Sequence, residues 1–198
     1  MWQFAIGRVQ AAAVLLIVAL GFAQPVFAEL SSRPSTSSPR LPSGVVRIEG
    51  KGNNTIVSSG GSASCRHVTA AEAAAALSMT NSIRAQRHLS PLSTNSKLQQ
   101  AAAEHACEMA SRGVMSHRGA SGSGPAGRVK RIGYRPRLTA ENIAAGRFDL
   151  NRVQQEWAQS PGHLSNILQK RARHFGIGYA VAADGKTIFW TAVYANGR

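Results

Sequence analysis

The sequence predicts a layered α+β domain. Two observations carry that expectation: a succession of capped helices from Thr69 onward, and a pair of alternating strands at the C-terminus. A third sets the domain's beginning. Residues 29–64 are dominated by Ser, Pro, Gly, Asn and Arg, a composition that buries too little apolar surface to offset its ordering entropy. The expected organisation is a leader over 1–28, a flexible tether over 29–66 and one domain over 67–198.

Order is expected from Thr69-Ala70-Ala71-Glu72, a capping box in which hydroxyl and carboxylate satisfy orphan amides. This helix should run to about His88, with Ala73, Leu77, Thr80 and Ile83 along one side. Pro91 sits in the connection. Asn95 is a good N-cap for a second helix and Gly113 a good left-handed stop. Leu98, Ala102, His105 and Met109 share one stripe of it. Cys107, nine positions past Leu98, falls on the opposite face and can reach a segment crossing there. Cys65, just ahead of the first helix, is such a segment; a Cys65–Cys107 bridge is expected, with two free thiols as the alternative. Neither cysteine belongs to a Cys-x-x-Cys pair.

A short helix is expected from Pro125 to about Ile132, closed by Gly133. Asp149 caps another that carries Val153 and Trp157. Ser160-Pro161-Gly162-His163 restarts a helix, with Ser at the N-cap and Pro at the first position. Ile177, Tyr179 and Val181 then alternate, Asp184-Gly185 marks a hairpin turn, and Thr187 to Tyr194 returns. Within the tether, Val45 to Ile48 and Thr55 to Val57 are candidates for a small hairpin.

Upstream, Arg8 precedes the apolar run Val9 to Ala23, shorter than the ~20 residues that cross a bilayer. Val26 and Ala28 supply the small residues of a signal-peptidase site, so cleavage after Ala28 and export are expected, with an uncleaved anchor as the alternative. No later segment is apolar enough to span a membrane. Loss of Arg8 takes the formal charge from +14 to +13, leaving 22 basic residues against 9 acidic ones. Such a charge draws the protein to anionic surfaces. For an exported chain these are envelope or cell-wall components rather than nucleic acid. A solvated basic face without a dedicated ligand is the plainer alternative.

The stretches Leu98…Ala102…His105-Ala106…Met109-Ala110, Ser116-His117, Arg128…Gly133-Tyr134, Glu141-Asn142-Ile143-Ala144-Ala145-Gly146, Trp157-Ala158-Gln159-Ser160-Pro161-Gly162-His163 and Gly176-Ile177-Gly178-Tyr179-Ala180 occur in order over about residues 70–196. Together they resemble the bacterial branch of the CAP superfamily (SCP domain), which includes cysteine-rich secretory proteins, insect venom antigen five and plant pathogenesis-related proteins. The resemblance implies a three-layer α/β/α sandwich with a central cleft, which in many members holds two histidines and two glutamates and can bind a divalent metal. It places His117, Glu141 and His163 at three of those positions. Ser160 stands where eukaryotic members carry the second glutamate. Glu156, four residues earlier on the same helix face, is the candidate substitute, with an exposed glutamate as the alternative.

Imidazole and carboxylate suit zinc and other first-row metals. His163 lies in the first turn of its helix, where the dipole disfavours imidazolium and a neutral, ligating ring is favoured. The metal set is therefore His117, His163, Glu141 and Glu156, with zinc as the candidate cofactor. The alternatives are a structural hydrogen-bond network and catalysis by His117, Glu141 and His163. His105 reads as a satisfied core histidine; His67, His88 and His174 read as surface residues. The chain carries no Gly-x-Ser-x-Gly elbow, His-Glu-x-x-His helix or phosphate loop, and Ser116 is poorly placed as a nucleophile. Three classes of function follow: an envelope binding protein, a wall- or peptide-directed hydrolase, and an interaction module acting through its basic surface.

Overall fold

A computed structural model describes residues 54–198. The leader, the first part of the tether and the Val45 to Ile48 half of the expected hairpin lie outside the described residues.

The cap signals in the sequence decide where the helices begin. Helix α1, Ala70–Ala85, opens on the Thr69/Glu72 capping box. Helix α2, Ser96–Arg112, opens on Asn95, whose side chain accepts from the Lys97 and Leu98 amides, and closes on left-handed Gly113. Helix α3, Pro125–Arg131, is followed by Gly133 at φ 81°. Asp149 caps α4, Leu150–Gln159, by accepting from the Arg152 amide at 2.7 Å. Helix α5, Pro161–Ile167, follows Ser160 with proline at its first turn.

Helix α1 ends earlier than expected, and its buried residues are Ala73, Ala76, Thr80 and Arg84. The left-handed His88 (φ 54°) and the Leu89 amide donating to the Arg84 carbonyl turn the chain out of the helix, and the Arg84 side chain is buried there. Its guanidinium donates to the Ser90, Ile167 and Gln169 carbonyls, locking the α1 exit to the C-terminal end of α5.

Seven strands complete the described chain. They are β1 (Thr55–Ile56), β2 (Ser64–Arg66), β3 (Ser93–Thr94), β4 (Val114–Met115), β5 (Pro136–Gly146), β6 (His174–Val181) and β7 (Ile188–Gly197). The main sheet runs β2-β6-β7-β5, with antiparallel pairing throughout this path; β3 adds to β6 in parallel. The β6–β7 hairpin is the expected one, and Asp184 organises its turn by accepting from the Lys186 and Thr187 amides.

The chain joins the domain earlier than Thr69. Strand β1 pairs with β4, β2 edges the main sheet, and the Val57, Ser58 and Gly61 amides donate to carbonyls at the α2 C-terminus. Cys65 on β2 is bonded to Cys107 on α2, with a Cα–Cα distance of 5.1 Å, as the opposite-face argument expects.

Alternation along the strands assigns the layers. Phe175, Ile177, Trp190, Ala192, Tyr194 and Ala144 pack against Ala73, Ala76, Val153, Trp157 and Ile167 of α1, α4 and α5. The other face sets Ile143, Ala145, Ala180 and Phe189 against Ala106, Met109 and Ala110 of α2. Val193 and Ala195 meet Leu98, Ala102 and Val129 there. This is the α/β/α sandwich. Helix α2 presses onto β6 so closely that a Cβ on Gly176 or Gly178 would lie 2.3 Å from α2 backbone atoms, which explains the Gly-x-Gly spacing.

Candidate functional site

The site is built where β5 meets the loop between β4 and α3. Strand β5 pairs with β7 from Pro136↔Gly197 to Gly146↔Ile188, so Glu141 stands opposite Val193 and Asn142 opposite Ala192. Neighbouring residues point to opposite faces. Glu141 therefore faces α2 and α3, and Asn142 faces the α4–α5 layer.

Glu141 is 1% exposed in its side chain, and its Oε1 lies 2.9 Å from His117 Nδ1. Its Oε2 accepts from Arg128 Nη2 in a close ion pair. Arg128 is itself buried and donates from Nη1 to the His117 and Ser123 carbonyls, at 3.0 and 2.8 Å. The guanidinium thus neutralises Glu141 and fastens the loop that carries His117. His105 approaches from α2, with Nε2 donating to the Ser116 carbonyl at 2.9 Å and standing 3.9 Å from Glu141 Oε1. Behind it Glu108 accepts the Ala120 amide, latching the far side of the same loop.

Burial alone would push the Glu141 carboxyl up. His105, the His117 hydrogen bond and Arg128 outweigh it and hold the group below the usual carboxylate range. An ionised carboxylate only accepts, so the shared proton belongs to His117 Nδ1; in the neutral form of such a ring the lone pair is on Nε2. The His117 side chain is 27% exposed. The result is an oriented imidazole with solvent access, backed by a buried and neutralised carboxylate.

His163 and Glu156 come from the opposite layer. Asn142 donates to the His163 carbonyl at 3.1 Å, and Asn166 donates to the Glu141 carbonyl and Asn142 Oδ1, so α5 is clamped to β5 beside the site. The His163 side chain is buried. Glu156 is buried rather than exposed, and its carboxylate pairs with Arg152 Nη2 at 2.6 Å, one turn earlier on α4. Among the described residues no group of three or more His, Cys, Asp or Glu side chains stands where it could hold a metal ion.

Two members of the network escape a reading of the sequence. Arg128 reads as part of the basic run Arg128-Val129-Lys130-Arg131, yet it is the buried counter-ion. His105 is the core histidine expected from its stripe, and it also flanks Glu141. One signal was available. Glu141 is the sole acidic residue between positions 109 and 148, in the small and apolar setting Ala140 to Ala145. A carboxylate buried there requires a cation. His174 is half-buried rather than at the surface, with Nδ1 bonded to the Tyr134 hydroxyl at 2.8 Å, whereas His67 and His88 are exposed.

An α/β/α domain with a histidine–glutamate pair at the sheet edge defines a class, and comparison places the chain within it. The model for the cysteine-rich secretory protein (CAP) family matches residues 77–194, so the chain belongs to the CAP family. An uncharacterised Bacillus subtilis protein, YkwD, is 28% identical over 113 residues, covering 57% of this chain; the chain spans only 42% of that relative's length. An SCP-domain extracellular protein of Bacillus anthracis superposes with a TM-score of 0.57 at 26% identity, covering 64% of this chain and 40% of its own. An outer surface protein of Borrelia burgdorferi superposes with a TM-score of 0.60 at 21% identity, covering 66% and 96% respectively. Among the described residues no helix is long and apolar enough to cross a membrane.

Proposed function

We propose that this protein is an exported binding domain that takes a small ligand at His117, with Glu141 and Arg128 holding the ring. Export is supported by the Cys65–Cys107 bridge, since disulfides persist outside the cytoplasm, and by relatives described as extracellular or outer-surface. The observation that carries the ligand reading is the bonding of Glu141. Both oxygens are committed, one to His117 and one to Arg128, so the carboxylate serves the ring rather than a ligand.

The same bonding does not fit a metal cage of His117, Glu141, His163 and Glu156. The Arg128 guanidinium occupies the carboxylate face that a cation would need, and Arg152 holds Glu156. With its Nδ1 bonded to Glu141, a neutral His117 ring presents Nε2 as an acceptor to an N–H or O–H of the ligand. An acceptor so placed is also what a general base requires. A serine nucleophile from this loop is not supported: Ser116 is buried and its hydroxyl accepts the Arg118 amide.

Nitrogen-15 NMR of the His117 ring tests the reading, with muramyl dipeptide and zinc chloride titrated separately. A saturable muramyl dipeptide shift at Nε2, lost in His117→Ala, supports ligand binding. Zinc saturation at Nε2 would make His117 a metal ligand with Glu141 outside the coordination sphere. Silence with both probes refutes the binding reading. Product released from peptidoglycan by the pure protein, and lost in His117→Ala, would replace it with a hydrolase.

A further inference from the structure

We propose a second site, separate from His117: the pocket between the α3 exit and the end of β7 binds a molecule carrying at least two phosphate groups. The pocket is an open depression of about 570 Å³, lined by the exposed Lys130, Arg135, Arg137 and Arg198 around Tyr134. That volume lies within the roughly 300–1,000 Å³ of small-molecule pockets.

No acidic side chain lines the pocket, and none of its four cations enters an ion pair among the described residues. The sequence accounts for this. Residues 109–140 contain seven basic residues and no acid, and the next acid, Glu141, is already neutralised by Arg128. Four cationic side chains therefore line one cavity. A phosphomonoester carries about −1.5 to −2, so two of them match four cations where a single carboxylate does not. Three of the four are arginines, whose planar forks bind phosphate oxygens two at a time.

The walls are fixed. The Tyr134 amide donates to the Val129 carbonyl, the Gly133 amide to Lys130, and the Arg198 amide to Arg135. Lys97 Nζ covers the Gly133 carbonyl at 2.9 Å. These bonds occupy carbonyl oxygens that would otherwise repel an anion. The Tyr134 hydroxyl is anchored on His174. Gly197 packs so tightly that a Cβ there would lie 2.5 Å from the Arg135 carbonyl.

Calorimetric titration of the protein with tripolyphosphate, at about 0.15 M salt, tests the site. The triple variant Arg135→Gln/Arg137→Gln/Arg198→Gln is compared with Arg87→Gln/Arg171→Gln/Lys186→Gln, which loses the same charge at exposed positions elsewhere. The proposal expects saturable binding by the native protein, weakened at least about thirtyfold in the pocket variant through lost charge-assisted hydrogen bonds. The control should stay close to native. Sedimentation with phosphatidylcholine vesicles, plain or doped with cardiolipin, identifies the source. Cardiolipin-dependent binding lost in the pocket variant and competed by tripolyphosphate indicates a lipid headgroup; tripolyphosphate binding without vesicle binding indicates a soluble ligand. Equal losses in the two triple variants, or binding to neither probe, overturns the proposal.

Discussion

Replacing Arg128 by methionine removes the one arginine that neutralises Glu141 while keeping much of its apolar stem. Arg128 is 3% exposed in its side chain and Glu141 1%, so the carboxylate is left buried with histidine partners alone. Breaking one side of a buried pair costs about 3–5 kcal/mol. The variant also frees the His117 and Ser123 carbonyls, adding to that loss. The pH dependence gives the diagnostic sign. In the native protein Glu141 is held below its usual range, so its contribution is present above an unfolded pKa of about 4.3 and is lost as pH falls through the folded value. In Arg128→Met burial gains weight and the folded value rises; the added penalty is then relieved as pH falls. Urea unfolding should therefore separate the proteins most near neutrality and least near about pH 4. Adding Glu141→Gln removes the stranded charge, and the double variant should be more stable than the summed single costs imply by at least about 1 kcal/mol. Additivity within about 0.5 kcal/mol, or a deficit that does not change with pH, would refute the assignment of Arg128 as the counter-ion of Glu141.

Gly178→Ala drives a Cβ to 2.3 Å from the Ala103 amide nitrogen, against backbone that cannot rotate away. Its urea midpoint should fall by the equivalent of about 3 kcal/mol, the upper end of overpacking costs. Cys65→Ser/Cys107→Ser opens a bridge spanning 42 residues, and loop-closure entropy predicts a loss of about 4 kcal/mol, read by denaturant titration under non-reducing conditions. Glu108 is held at about 2 by nearby His105, 4.0 Å away and beyond hydrogen-bond length, then by the Ala120 amide and Arg112, against its burial. Its stabilisation is present above an unfolded pKa of about 4.3 and is lost as pH falls towards the folded value. Glu108→Gln should consequently flatten the acid limb of a melting-temperature profile and leave most of the alkaline limb unchanged.

Local chemistry made much of this fold legible in the sequence. Thr69, Asn95, Gly113, Asp149 and Pro161 announce helix ends because cap geometry depends on a few residues in one stretch of chain. The β6–β7 hairpin is announced by alternation and by Asp184-Gly185. The Cys65–Cys107 pairing follows from helical periodicity together with the adjacency of Cys65 to α1. Strand β5 was not legible. Its residues from Glu141 to Gly146 are all buried, so no in–out alternation survives, and Ala, Gly, Glu and Asn are poor strand markers. Motif resemblance reached His117 and Glu141, which the structure brings into contact. It could not reveal that Arg128 would close the carboxylate, because seven basic residues between positions 109 and 140 look alike until one is buried. The same holds for Lys130, Arg135, Arg137 and Arg198, whose convergence on one cavity depends on β5 lying beside β7. Caps, turns and periodicity act over a few residues and can be read along the chain. Which charge meets which, and which is left without a counter-ion, depends on contacts between distant segments, and only the tertiary structure decides them.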